Sequence, residues 1–287
     1  MAEAMHTNHS YRVGEELERK QVNLFDRLCS LGSVLVAYSG GADSAFLAWA
    51  ANRVLGERSL AVTALSPSFS VYDRQQATAF ALEASLRHEF IETREVENAR
   101  YAANGSDRCY HCKDELFSEL GKLRSARGFA AVAYGLNADD LGDFRPGHQA
   151  ASKHKVVAPL QEAGLTKSEV RELSHRAGLS TSDRPASACL ASRIPYGIAV
   201  TVEELSRVER AESVLRELGF HQFRVRAHGE LARIEVAQQE FPKALRPEVA
   251  RTLAERLHPV GFTYVTLDLD GYRQGSLNAT LPVNRFS

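Results

Sequence analysis

The sequence predicts an α/β protein: a doubly wound parallel sheet joined to a second, smaller α+β domain. Three observations predict it. Short apolar runs alternate with helical stretches over the first part of the chain, as in βαβ units. A Gly-rich turn, Ser39-Gly40-Gly41-Ala42-Asp43-Ser44, separates one such run from the helix after it. The rhythm then changes after Tyr196-Gly197. At 287 residues the chain is at the upper limit for a single hydrophobic core, so two domains are expected, 1–197 and 198–287.

The elements follow from periodicity. Leu17, Leu24, Phe25, Leu28 and Leu31 share one helical face, which predicts a helix over 15–31. The run Val34-Leu35-Val36-Ala37-Tyr38 suits a buried strand, and Phe46 to Leu55 reads as a helix. Further strands are predicted at 60–65, 89–93 and 130–134, with helices at 72–86 and 111–127. Thr166-Lys167-Ser168-Glu169 is a capping box that opens another helix. In the second domain Thr201 caps a helix with the stripe Leu205, Val208, Ala211, Leu215 and Leu218. Two alternating strands at 222–227 and 232–236, a helix at 247–258 and a strand at 263–268 complete an αββαβ unit.

Composition excludes several classes. Thirty-five Lys and Arg against 36 Asp and Glu leave no general basic surface, so neither nucleic acid nor a membrane is an expected partner. No apolar run reaches the roughly 18 residues of a membrane span, and the first residues carry no export signal, so a cytoplasmic protein is expected. Four cysteines are too few for a disulfide scaffold. Cys109 and Cys112 form a CxxC, with Cys29 and Cys189 far away, a spacing that suggests metal, cluster or thiol chemistry.

Four stretches carry chemistry. The turn at 39–44 lies between strand and helix, where backbone N–H groups and a helix N-terminus attract an anion. Asp43 suits Mg²⁺ held against phosphate, the bland alternative being a helix cap; the lysine of a Walker loop is absent. Asp139, Asp140 and Asp143, next to Arg145, suit Mg²⁺, a loop over a nucleotide, or a solvated acidic loop. Cys189-Leu190-Ala191-Ser192-Arg193-Ile194-Pro195-Tyr196-Gly197 suits an active-site segment, against the reading of Cys189 as a buried structural cysteine. On the strand Phe223–His228, Arg224 and Arg226 share a face about 6–7 Å apart. That pair matches a phosphate or carboxylate, and pairing with Glu235 across the hairpin is compatible with it.

The loop SGGADS resembles that of the PP-loop ATP pyrophosphatases, whose fold is that of the adenine nucleotide alpha hydrolases. These enzymes cleave ATP between the α- and β-phosphates and adenylylate a substrate oxygen. The resemblance implies that Ser39, Gly40, Gly41, Asp43 and Ser44 cradle pyrophosphate, with Ala37, Leu65 and Gly135 at strand ends on the adenosine side. The ordered set SGGADS, RCYHCK, DFRPG, PLQEAGLTKSEVR, CLASRIPYG, FRVRAHG, RIE and LDLDGYRQG is similar to the LarE family, the sulfur transferases of nickel-pincer nucleotide synthesis. That likeness implies ATP and Mg²⁺ as cofactors and adenylylation of a carboxylate on a pyridinium dicarboxylate mononucleotide, followed by sulfur attack to give a thiocarboxylate. It also implies Arg193, Arg224 and Arg226 as substrate residues, and Cys189, Ser192, Glu212 and Glu235 in the sulfur-transfer pocket. An acidic position of the family's phosphate pocket is Lys243 here. Expected partners are the small nucleotide and the other proteins of that biosynthesis; a homo-oligomer is left open.

The sulfur source follows from the cysteines. One branch of the family sacrifices a cysteine at the position of Ala188 and lacks the CxxC pair. The departures here resemble a second branch, in which Cys109, Cys112 and Cys189 hold a [4Fe–4S] cluster with one iron left open. Sacrificial or persulfide chemistry at Cys189 is the rival, and zinc with His111 as fourth ligand a third reading. Cys29, beside Leu28, reads as a core residue. Other PP-loop enzymes remain as alternatives: a tRNA thiolase, which the charge balance disfavours, or an amide-forming synthetase, which needs no three cysteines. A non-enzymatic nucleotide or redox sensor is the alternative from outside enzymes.

Overall fold

The computed structural model describes residues 2–142, 146–184 and 188–273. The chain divides into two compact units. The first comprises 1–65, 71–93 and 112–187; the second takes 66–70, 94–111 and 188–287. Besides the C-terminal region, the second unit thus recruits two earlier stretches of chain.

In the first unit, helix α1 (Ala2–Leu31) leads into β1 (Val34–Ala37), α2 (Ala42–Leu55), β2 (Ser59–Leu65), α3 (Val71–Glu83) and β3 (His88–Glu92). Helix α4 (Arg108–Arg127) starts in the second unit and continues in the first. It precedes β4 (Ala131–Tyr134), α5 (Pro146–Lys153) and α6 (Lys167–Arg176). The four strands form one parallel sheet in the order β3-β2-β1-β4. The strand order reverses between β1 and β4, and open α/β sheets bind ligands at the strand C-termini beside such a reversal. Strand β1 is buried along its whole length, which is why it reads as an unbroken apolar run. The capping box at Thr166 and Glu169 forms as predicted, and Lys20 of α1 pairs with the same Glu169 at 2.7 Å.

Helix α1 begins well before the expected residue 15. Its buried stripe is Leu17, Leu24 and Leu28. Cys29, expected in the core, is exposed. One residue past Leu28 the helix has turned by about 100°, and that step carries the thiol off the stripe.

The second unit contains α7 (Val202–Glu217), β5 (Phe223–His228), β6 (Leu231–Val236), α8 (Pro247–Leu257) and β7 (Tyr264–Leu267). Its sheet runs β5-β6-β7, antiparallel between the first two strands and parallel between the last two. The expected αββαβ order is present. Leu205, Val208, Ala211 and Leu215 pack inward from α7, whereas Leu218 caps the helix and is only half-buried.

A buried asparagine organises the loop between Cys189 and Thr201. Asn104 is fully buried and left-handed at φ 55°. Its amide donates to the carbonyls of Ile194 at 3.3 Å, Pro195 at 2.8 Å and Ile198 at 2.8 Å, and its own carbonyl accepts from Gly197 N–H. Asn is among the few residues that tolerate this backbone region. Asn104→Ala would lose the amide and strain the backbone; we expect a stability loss of about 2–4 kcal/mol in urea denaturation, with Asn104→Asp no milder because its carboxylate would face the same three carbonyls.

Candidate functional site

Most of the described residues singled out by the sequence fall in two clusters, one in each unit. The first surrounds the turn between β1 and α2. Gly40 adopts φ 77°, and Gly41 is the N-cap of α2 without a side-chain cap bond, so the uncapped N–H groups of the first turn face the loop. The hydroxyls hold the loop's shape: Ser39 N–H donates to Ser44 Oγ at 3.2 Å, and Ser44 Oγ donates to the Gly41 carbonyl at 3.0 Å. Ser39 and Ser44 hydroxyls are 3.1 Å apart. Ser44 thus braces the loop, while Ser39 is exposed.

Asp43 Oδ2 accepts from Lys167 Nζ and, at 3.4 Å, from Asn137 Nδ2. Its Oδ1 is buried without a hydrogen-bond partner. An ionised carboxylate oxygen left so is costly unless a cation or donor arrives. Gly135, one residue past β4, lies against this loop. A Cβ there would stand 2.7 Å from Ser44 N and 2.9 Å from its Cα. Ala37 ends β1 and is buried; Leu65 ends β2 and is half-buried.

The acidic stretch orders the loop after Gly135. Asp139 accepts from Lys167 N–H at 2.8 Å at the start of α6, and Asp140 accepts from Asn137 N–H at 3.3 Å. Asp143 and Arg145 of DFRPG lie outside the described residues.

The second cluster surrounds the turn after Cys189. Cys189 is exposed, not a buried structural cysteine, and opens a short 3-10 turn, Leu190–Arg193. Its carbonyl accepts from Ser192 N–H at 2.9 Å, Ser192 Oγ at 2.7 Å and Arg193 Nη1 at 3.1 Å. Arg193 is buried and forms a two-pronged pair with buried Glu212, Nε to Oε1 at 2.8 Å and Nη2 to Oε2 at 3.1 Å. Burial alone would raise the Glu212 carboxyl, but Arg193, then Arg224 and the Val225 N–H, hold it below its usual value.

Arg226 donates to the Ser192 carbonyl at 2.7 Å and to Glu235 at 2.9 Å, and Arg233 reaches the other Glu235 oxygen at 3.0 Å. The cross-hairpin pairing is therefore made, by Arg226. Arg224 faces Glu235 in register yet donates to the Tyr272 hydroxyl at 3.2 Å. Burial, then the neighbouring Arg193 charge, lowers its affinity for the proton. Charges so crowded favour an added anion.

Residues not foreseen from the sequence support this turn. Arg108 is buried and donates to the Ala191 carbonyl at 2.9 Å and to Asn104, with its guanidinium 5.7 Å from the Tyr196 ring centroid. Burial works against its charge, but the thiols of Cys189 and Cys109 and two tyrosines favour it more strongly. Cys109 is exposed, and Cys112 follows three residues on along the same helix, half-buried. His111 pairs with Asp107 at 3.1 Å. Among the described residues, no three of His, Cys, Asp and Glu stand together as the ligands of one metal ion do. A zinc ion needs every ligand within about 2.0–2.3 Å of a single centre, whereas a cubane gives each thiolate its own iron.

No family model matches the chain. Three relatives do. An uncharacterised Synechocystis protein is 44% identical over 92% of this chain and 99% of its own length. The pyridinium-3,5-bisthiocarboxylic acid mononucleotide synthase of Lactiplantibacillus plantarum is 35% identical over 92% of this chain and 96% of its own. The chain belongs to the LarE family. An uncharacterised Methanocaldococcus jannaschii protein is 26% identical over 84% of this chain and 90% of its own. Lys243, where the family resemblance led to an acidic residue being expected, places its ammonium 4.6 Å from the Phe220 ring centroid. No helix among the described residues is long and apolar enough to cross a membrane.

Two outcomes follow. Gly135→Ala must push β4 away from α2, and we expect ATP binding by calorimetry to weaken at least about tenfold while the far-ultraviolet spectrum stays native. Glu212 has a folded value below its unfolded one near 4.5, so it stabilises the fold above pH 4.5 and loses that contribution as pH falls through the folded value. Glu212→Gln should flatten the stability profile below pH 4.5 and cost about 3–5 kcal/mol at neutral pH, read by urea titration.

Proposed function

We propose that this chain is an ATP-dependent sulfur transferase acting on a pyridinium dicarboxylate mononucleotide in nickel-pincer nucleotide synthesis. The observation that carries the reading is the uncapped N-terminus of α2 beside Asp43 Oδ1, a buried oxygen without a hydrogen-bond partner, in a chain 35% identical to a named synthase. Asp43 would hold Mg²⁺, which supplies charge neutralisation to the phosphates.

In this reading a substrate carboxylate oxygen attacks the α-phosphorus of ATP. The bond from that phosphorus to the β-bridging oxygen breaks, and pyrophosphate leaves into the loop formed by Ser39, Gly40, Gly41 and Ser44. A sulfur nucleophile then attacks the acyl carbon, AMP leaves, and a thiocarboxylate remains. Ala37, Leu65 and Gly135 would border the adenosine. Arg224 and Arg226 would hold the phosphate of the substrate, while Arg193 and Glu212 keep the turn bearing Cys189 and Ser192 in shape. Glu235 holds Arg226 in its orientation. The first unit, on this view, activates the carboxylate and the second transfers the sulfur.

For the sulfur source we propose Cys109, Cys112 and Cys189 as ligands of a [4Fe–4S] cluster. What supports this reading is the placement of Cys109 and Cys112 three residues apart on α4, with Cys109 and Cys189 both exposed. Such a cluster, three protein thiolates to four irons, supplies a coordination position at which exogenous sulfur can be accepted.

The test is pyrophosphate exchange into ATP together with product and protein mass. Substrate-dependent exchange in the wild type, reduced about a hundredfold or more in Asp43→Ala, is expected; no exchange would overturn the adenylylation reading. Anaerobically purified protein should contain iron and acid-labile sulfide, both lost in Cys109→Ala. Active protein without iron would overturn the cluster, and loss of the elements of H₂S from Cys189 after one turnover would establish sacrifice in its place.

A further inference from the structure

Arg184 has no part in the reading so far, yet the fold holds it against the phosphate loop. Its Nη1 donates to the Gly40 carbonyl at 2.9 Å and lies 3.8 Å from where a Cβ on Gly40 would be. Four further bonds fix its approach. The Arg184 carbonyl accepts from Arg171 Nη2 at 3.0 Å, and its N–H donates to the Thr181 carbonyl at 3.2 Å. The turn before it is fastened to α3 by Ser180, whose N–H and hydroxyl reach the Glu83 carboxylate at 3.1 and 2.6 Å. All these residues lie in the first unit.

The loop needs a cation. A leaving pyrophosphate carries several negative charges, and SGGADS has no lysine of its own. Lys167, the nearby ammonium, is already engaged with Asp43. Arg184 is only partly buried, and a guanidinium has five N–H donors in a planar fork, so one carbonyl does not exhaust it. Its charge also reaches Tyr38, one residue past β1, where it opposes the rise that burial imposes on the phenol.

We propose that Arg184 is the cationic residue of the phosphate loop, gripping the β- and γ-phosphates of ATP and the departing pyrophosphate from the Gly40 side. This deepens the adenylylation reading and rests on it. Nothing in the proposal involves the α-phosphate or adenosine. The loss of Arg184 should therefore separate ligands that carry the outer phosphates from those that do not.

Calorimetric titration with inorganic pyrophosphate plus Mg²⁺, and separately with AMP, tests this. Arg184→Ala should weaken pyrophosphate at least about tenfold, as the loss of one charge-assisted hydrogen bond does, and leave AMP within about twofold. Arg184→Gln keeps a donor for the Gly40 carbonyl but not the charge, and should match Arg184→Ala. Arg184→Lys should recover part of the loss. If Arg184→Gln binds pyrophosphate like the wild type, the residue only braces the loop and the proposal falls. It falls equally if AMP and pyrophosphate weaken together. A folded wild-type protein that binds neither pyrophosphate nor ATP would instead refute the adenylylation reading itself. Should Arg184→Ala fail to fold, the Gln and Lys variants decide the matter.

Discussion

The first unit depends on one missing atom. Gly135 lets the end of β4 come within van der Waals contact of the backbone at Asp43 and Ser44, and any Cβ would collide with Ser44 N. Because β4 and β1 pair in parallel, that approach fixes the 39–44 turn at the point where the strand order reverses. The residues after Gly135 then turn back on Asp43 through Asn137, while Asp139 binds the start of the helix that carries Lys167. Loop, acidic stretch and capping box form a single connected arrangement around one carboxylate.

The second unit meets a different constraint, the burial of charge. Arg193 with Glu212, and Arg226 with Glu235, are ion pairs almost wholly removed from water. Such pairs are poor sources of net stability, since desolvation cancels much of their attraction. They do impose geometry, because a misplaced partner would leave a bare charge in the interior. The Ser192 carbonyl is held by one of these arginines and the Cys189 carbonyl by the other, so the turn inherits their fixed positions.

Much of this was legible in the sequence, and for physical reasons. Period-3.6 patterning located the main helices and period-two patterning the strands of the second unit, while β1, buried along its whole length, showed as an unbroken apolar run. The turn at 39–44 was legible as a tight strand-to-helix connection because its two glycines and small hydroxyl residues suit such a bend. Long-range polar contacts leave no such trace. Asn104 and Arg108 stand in a stretch, NGSDR, that reads as a turn, and nothing local reveals that they grip carbonyls some 90 residues away. Arg184 and the pairing of Lys167 with Asp43 escaped notice for the same reason. Cys29 shows the opposite failure: adjacency to Leu28 suggested burial, but a helix turns too far in one residue for adjacency to mean a shared face.

The bonds that shape the turn after Cys189 end on backbone carbonyls, those of Ala188, Cys189, Ala191 and Ser192. The chemistry of a cysteine side chain does not alter its carbonyl. Oxidation, alkylation or metal capture at the sulfur would each leave these anchors in place. The turn is therefore a mount whose working part can be exchanged: Cys189→Ser or Cys189→Ala should keep its shape while removing the thiol.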